Sequence, residues 1–87
     1  MIQKDVTITN SIGLQARPAS FFVQKASAYK SSISVVMDDR RVSAKSLLGV
    51  LSFGIGKGMT ITLIADGEDE KAAIDGLVDL LNNGLPN

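Results

Sequence analysis

Two stretches of the sequence hold residues whose types and spacing suit phosphate chemistry. In GLQARPAS, residues 13–20, a glycine is followed by Arg17 and then Pro18, the order expected where a turn gives way to a helix. Free backbone N–H groups, the positive end of a helix dipole and the Arg17 guanidinium would all converge there on an anion. Phosphoryl transfer also needs a nucleophile facing that anion, and position 15 is glutamine. The amide lone pair of Gln15 is delocalised into its carbonyl, so this side chain donates and accepts hydrogen bonds and does nothing more. On these residues alone, a turn at Gly13 and a first-turn proline with no ligand is the plainer reading.

The second stretch is KSLLGVL, residues 45–51. Ser46 is placed to cap a short helix from Leu47 to Phe53, its hydroxyl accepting from a backbone N–H, a contact that stabilises by roughly 1 kcal/mol. Cap and modification site are compatible, because a phosphate there adds about −1.5 to −2 charge where a helix tolerates it best. Leu47, Leu48 and Leu51 lie on this helix, and about two turns cannot bury every side of so apolar a run. The residues leave two outcomes open: an apolar patch beside the serine, or cover by the first helix.

The acidic runs are weaker candidates. Asp38-Asp39 suits a hairpin turn, and Glu68-Asp69-Glu70 suits the first turn of the last helix, where negative charge complements the dipole. Neither comes with a metal-ligand partner or an acid-base companion, so no catalytic residue, metal site or cofactor is expected.

The elements that must position these residues follow from periodicity. Ile2 to Thr9 alternates through Val6 and Ile8 and reads as a strand ending at the turn residues Asn10-Ser11. From residue 16 to 28 the period changes: Ala19, Phe22, Val23 and Ala26 form an apolar helical stripe, while Arg17, Ser20, Phe21 and Gln24 fall on the other face. Phe21 is thus an apolar ring on the wet side, either loosely packed under a loop or a contact residue. Residues 32–44 read as a hairpin, Thr60 to Ala65 as a strand, and a final helix carries Ile74, Leu77, Val78 and Leu81, weakened at Gly76. Three one-sided helices need a sheet face to cover, so the class is an α+β two-layer domain, either a ferredoxin-like sandwich or a close relative.

Composition narrows the function. With 87 residues and 45% hydrophobic content the chain suits a single domain over residues 1–87. Nine basic and nine acidic residues cancel, giving no field that favours nucleic acid or an anionic membrane. The absence of Cys and His removes disulfides, thiolate and imidazole chemistry and the usual zinc ligands, and suits an intracellular, cytoplasmic protein. MIQKDVTITN lacks the apolar core of a signal peptide, and the apolar run at 46–65 is broken by Lys57 and four glycines, so no membrane association is expected. Asn10 to Gly13 is a short hinge after the first strand, which allows either a monomer or a strand-exchanged homodimer.

At GLQARPA, KSLLGVLSFGIGKG and the strand-helix order, the sequence resembles the HPr family, small phosphocarriers of the sugar phosphotransferase system, nearly end to end. That resemblance implies an HPr-like open-faced β-sandwich, a four-stranded antiparallel sheet with three helices on one face. The family has two marked sites: a histidine before Ala-Arg-Pro that takes phosphate from enzyme I, and a serine opening the short helix that a dedicated HPr kinase/phosphorylase modifies. Position by position, Ser46 and Arg17 are kept, and the histidine position is Gln15. Gln within Gly-Leu-Gln-Ala-Arg-Pro is similar to the catabolite-repression branch of the family, which works only through its serine. The resemblance therefore implies a regulatory, non-enzymatic phosphoprotein whose partner is catabolite control protein A, a LacI-type repressor. Gln15, Arg17, Ser20, Phe21, Ser46, Leu47, Leu48 and Leu51 would be its contact surface. The alternative is a phosphocarrier whose active-site histidine is replaced by Gln15; a plain interaction domain with unmodified Ser46 is a third reading.

Overall fold

The alternating N-terminus, the first helical stripe and the hairpin expected from the sequence all form. The computed structural model describes residues 1–85, and in it β1 (Ile2–Thr7), α1 (Ala16–Ser27), β2 (Ser32–Met37), β3 (Arg40–Ser43), α2 (Leu47–Ser52), β4 (Thr60–Asp66) and α3 (Glu70–Asp79) follow one another. The strands make one sheet in the order β1-β4-β2-β3, with every neighbouring pair antiparallel. A ferredoxin-like sandwich would set the first and third strands in the middle. Here β4 and β2 hold the middle, so the fold is the relative and not the ferredoxin-like form.

Alternation decides which side of the sheet the helices cover. Val6 on β1, Ile33 and Val35 on β2, and Ile61, Leu63 and Ala65 on β4 are buried beneath Ala19, Phe22 and Ala26 of α1, Val50 of α2, and Ala73, Ile74 and Leu77 of α3. The opposite face stays open, with Asp5, Thr62 and Ser34 along it; there the Thr62 hydroxyl donates to an Asp5 carboxylate oxygen at 2.7 Å. The result is an HPr-like α+β open-faced sandwich, three helices on one side of a four-stranded sheet. No helix of the described residues is long and apolar enough to cross a membrane.

Two expected boundaries move. The β1 ladder ends at Thr7 opposite Thr60, two residues short of the expected strand end. Ile8 nevertheless stays buried, donating from its N–H to the Met59 carbonyl at 2.9 Å and accepting from the Gly58 N–H at 2.8 Å. The final helix widens into a π-helical segment over Leu80–Gly84, and Leu81 is buried from there, not from α3 itself. Gly76 lies inside α3 because a side chain at that position would run into the Tyr29 hydroxyl at the end of α1.

Asp69 also departs from expectation. It stands at the N-cap position of α3, yet its side chain makes no cap bond. Instead one carboxylate oxygen accepts from the Lys30 N–H at 2.8 Å, and the other accepts from the Ser31 N–H at 2.9 Å and from the Ser31 hydroxyl. Those donors, the Ser31 hydroxyl first, hold the Asp69 carboxyl down at about 2, well below its ordinary 3.8. Glu70 accepts from the Met1 ammonium at 2.9 Å, a contact that lowers the Glu70 carboxyl and raises the Met1 amine.

Candidate functional site

The start of α1 is shaped by its approach to the chain beyond α2. Gly13 adopts a φ of 65°, and any side chain there would strike the Ile55 carbonyl oxygen and the backbone of Gly56. Leu14, fully buried, donates from its N–H to the Ile55 carbonyl at 3.0 Å. A turn closes behind it: the Asn10 side-chain amide donates to the Gly13 carbonyl at 2.8 Å, and the Gly13 N–H donates to the Asn10 carbonyl at 3.3 Å.

Gln15 then runs extended, with φ −121° and ψ 150°, and its side chain caps nothing. Ala16 follows at φ 49°, the left-handed region, which costs a residue with a Cβ about 1 kcal/mol. Gln15 and Arg17 are both exposed, Pro18 is buried in the first turn, and the Arg17 guanidinium lies 5.8 Å from the centroid of the Phe21 ring. Phe21 is 40% exposed and stacked beside Arg17 on the outer face of α1, so it is not a ring tucked under a loop. Ser20, half-buried, precedes it. This end of the molecule offers a cation and a helix start, with an amide at position 15 where a nucleophile would face the anion.

At the start of α2, Ser46 is extended at φ −107° and ψ 110°, and its hydroxyl oxygen accepts from the Gly49 N–H at 3.1 Å. That is the capping bond expected from the sequence. Val50 and Phe53 turn inward. Leu47 and Leu51 are each more than a third exposed and Leu48 is 82% exposed, so the first helix does not cover them. An apolar patch beside the capping serine is therefore the outcome of the two left open.

The two sites do not meet. α1 packs against α2, and the contacts at their ends show that the helices run in opposite senses. Leu14, before α1, bonds to Ile55, beyond α2; the Lys45 ammonium, before α2, donates to the Tyr29 carbonyl past the end of α1 at 2.8 Å. Gln15 and Arg17 thus lie at one end of the helix pair and Ser46 at the other. Ser46 opens α2, whose six residues span roughly 9 Å, and Gln15 lies past the opposite end of that helix, too far for one phosphate to touch both.

Several contributors carry no sequence signal. Arg40 leaves the hairpin to lie 4.9 Å from the Phe53 ring centroid and to donate to the Ser52 hydroxyl oxygen at 3.1 Å, bracing the far end of α2. Ile12 and Met59, each 43% exposed, add apolar surface from loops, where no periodicity marks them. The exposure of Phe21, by contrast, has a legible cue, its place opposite the apolar stripe.

Comparison with known proteins agrees with this geometry. A family model described as the PTS HPr component phosphorylation site matches residues 2–83. The HPr-like protein Crh of Halalkalibacterium halodurans is 46% identical over 78 residues, spanning 90% of this chain and 93% of that one. Among solved structures, HPr-C-His from Thermoanaerobacter tengcongensis is similar with a TM-score of 0.94 at 44% identity, covering 97% of this chain and 94% of that one. Crh of Bacillus subtilis, described as a dimer with a swapping domain, is similar over 100% of both chains with a TM-score of 0.77 at 38% identity.

Proposed function

This chain belongs to the HPr family of the phosphotransferase system, whose members are carriers and regulators and not enzymes, and we propose that it works as a regulatory phosphoprotein of carbon catabolite repression. In this reading an HPr kinase/phosphorylase in the cytoplasm phosphorylates Ser46, and the modified protein is a corepressor of catabolite control protein A. It is not a histidine phosphocarrier. The observation that carries the reading is Ser46 at the start of α2 with Leu48, 82% exposed, two residues away. A phosphate there keeps the acceptor role of the hydroxyl toward the Gly49 N–H and adds charge at the positive end of the helix. The fold need not change; the surface does.

The partner would pair the new charge with a cation of its own while Leu47, Leu48 and Leu51 supply apolar contact area. Arg17, Ser20 and Phe21 on the neighbouring α1, with Gln15 before it, extend that surface. The turn at Asn10 to Gly13 is the hinge through which β1 would exchange between two copies, and the swapped dimer described for the Bacillus subtilis relative supports that form beside the monomer. The experiment is a titration of purified catabolite control protein A with phosphorylated and unphosphorylated chain. Equal affinity for the two forms would sink the corepressor reading and leave Ser46 as a helix cap alone.

A further inference from the structure

One corner of the open sheet face collects cations and hydroxyls that neither phosphate site uses. Ser34 on β2 stands directly opposite Ser43 on β3, and Ser32 and Arg41 lie two residues from them on the same face. Lys45 follows just after β3, where the Ala44 N–H donates to the Ile33 carbonyl at 2.9 Å and closes the end of the hairpin. These five side chains, with Ile33 and Val42, line an open cavity of about 350 Å³.

The charged residues that line this corner, Arg41 and Lys45, are both cations. The described ion pairs join the Met1 ammonium to Asp66 and Glu70, and Lys71 to Asp75; neither Arg41 nor Lys45 enters one. The neighbouring carboxylates are engaged elsewhere: Asp66, opposite Ser32 on β4, faces the Met1 ammonium at 3.9 Å, and Asp69 accepts from the Lys30 and Ser31 N–H groups and the Ser31 hydroxyl. Arg41 is oriented by one bond, its Nε donating to the Ser34 hydroxyl oxygen at 3.1 Å. That leaves the terminal guanidinium nitrogens as a two-pronged donor, the geometry that matches two oxygens of one anion. Lys45 is likewise fixed by the Tyr29 carbonyl at 2.8 Å, with two ammonium hydrogens still to donate. The Ser43 hydroxyl oxygen accepts from the Lys45 N–H at 3.1 Å, and its hydrogen remains free to donate.

We propose that this corner is a second anion site, which binds a phosphoryl group, either free or esterified to a small hydroxylated molecule, between Arg41 and Lys45. The three serine hydroxyls, able both to donate and to accept, hold the phosphoryl oxygens or the hydroxyls of the ester. Binding needs no modification of Ser46 and no histidine, so the site stands or falls separately from the corepressor role.

The test is a titration of the full, unphosphorylated chain with inorganic phosphate and, separately, with glycerol phosphate, followed by backbone amide NMR at constant ionic strength. Saturable shifts at Ser32, Ser34, Arg41, Ser43 and Lys45 are expected. Tighter binding of glycerol phosphate assigns the site to an ester; equal binding assigns it to free phosphate. Arg41→Gln, at an exposed position, should fold normally and weaken binding roughly tenfold, the loss expected for one charge-assisted contact. Shifts confined to the Leu14–Pro18 helix start, shifts that never saturate, or an Arg41→Gln variant that binds as well as the parent would each overturn the proposal.

Discussion

Ser31 gives Asp69 both of its donors, the backbone N–H and the side-chain hydroxyl, and so ties the turn before β2 to the start of α3. Both residues come from connecting segments that are 38 positions apart in sequence. This clasp makes stability depend on acid. The Asp69 carboxyl is lowered in the folded chain to about 2 from 3.8, so its contribution is complete above its ordinary value and is lost as pH falls from about 4 through about 2. Urea denaturation midpoints of the parent should decline through that window. Asp69→Asn should be less stable at neutral pH and should show a shallower decline; an equally steep decline in the variant would assign the acid sensitivity to other groups. Glu70, lowered by the Met1 ammonium, adds to the decline in the same direction.

Removing the capping hydroxyl should separate stability from binding. Ser46→Ala loses the bond to the Gly49 N–H and should cost about 0.5–2 kcal/mol in chemical denaturation. Phosphorylation of the parent should do the reverse, adding roughly 0.3–1 kcal/mol through the helix dipole. Against catabolite control protein A, Ser46→Ala should lose kinase-dependent affinity by roughly thirtyfold or more, the scale for removing one partner of a buried charge pair. Leu48→Ser should weaken binding while leaving kinase-catalysed phosphate incorporation, read by mass, unchanged.

The histidine-less end yields a gain-of-function test. Enzyme I and phosphoenolpyruvate should not label the parent, since no imidazole is present anywhere in the chain. Gln15→His should restore at least slow labelling, because Arg17 and the start of α1 remain to hold the phosphoryl group. Absence of labelling in a folded variant would mean that this end has lost the geometry of a carrier site.

Backbone conformation at the same end is open to direct measurement. Ala16, at φ 49°, should accept glycine with no loss or a gain of up to about 1 kcal/mol, since glycine removes the left-handed cost but loosens the unfolded chain. Ala16→Val should destabilise by more than about 1 kcal/mol, as a β-branched residue fits that region worst. Gly13→Ala should be the most damaging of the three, for its Cβ meets Ile55 and Gly56 backbone that has no free rotamer to move aside. Thermal melts of the three variants rank them. An Ala16→Val variant as stable as the parent would contradict the left-handed conformation.

Periodicity and capping chemistry carried most of the fold. The stripe of Ala19, Phe22, Val23 and Ala26 located α1, Asp38-Asp39 marked the hairpin, and Ser46 fell at the start of α2 where its type predicts. The strand order was less legible, because alternation says which face of a strand is buried and nothing about its neighbours. Asp69 was assigned to its own helix because local sequence shows only nearby partners, whereas its donors come from Lys30 and Ser31. Gly76 carried only a propensity penalty until Tyr29 supplied the reason for it. The separation of Gln15 and Ser46 likewise needed the contacts at both ends of the α1 and α2 pair.

That separation makes the two ends independent variables. Residues with no shared partner and most of a helix length between them contribute to free energy additively, so a change at position 15 leaves the energetics at position 46 untouched. A double-mutant cycle joining Gln15→His with Ser46→Ala should accordingly close, with a coupling energy within about 0.5 kcal/mol of zero. A chain built this way can give up one chemistry and retain the other without rebuilding its core.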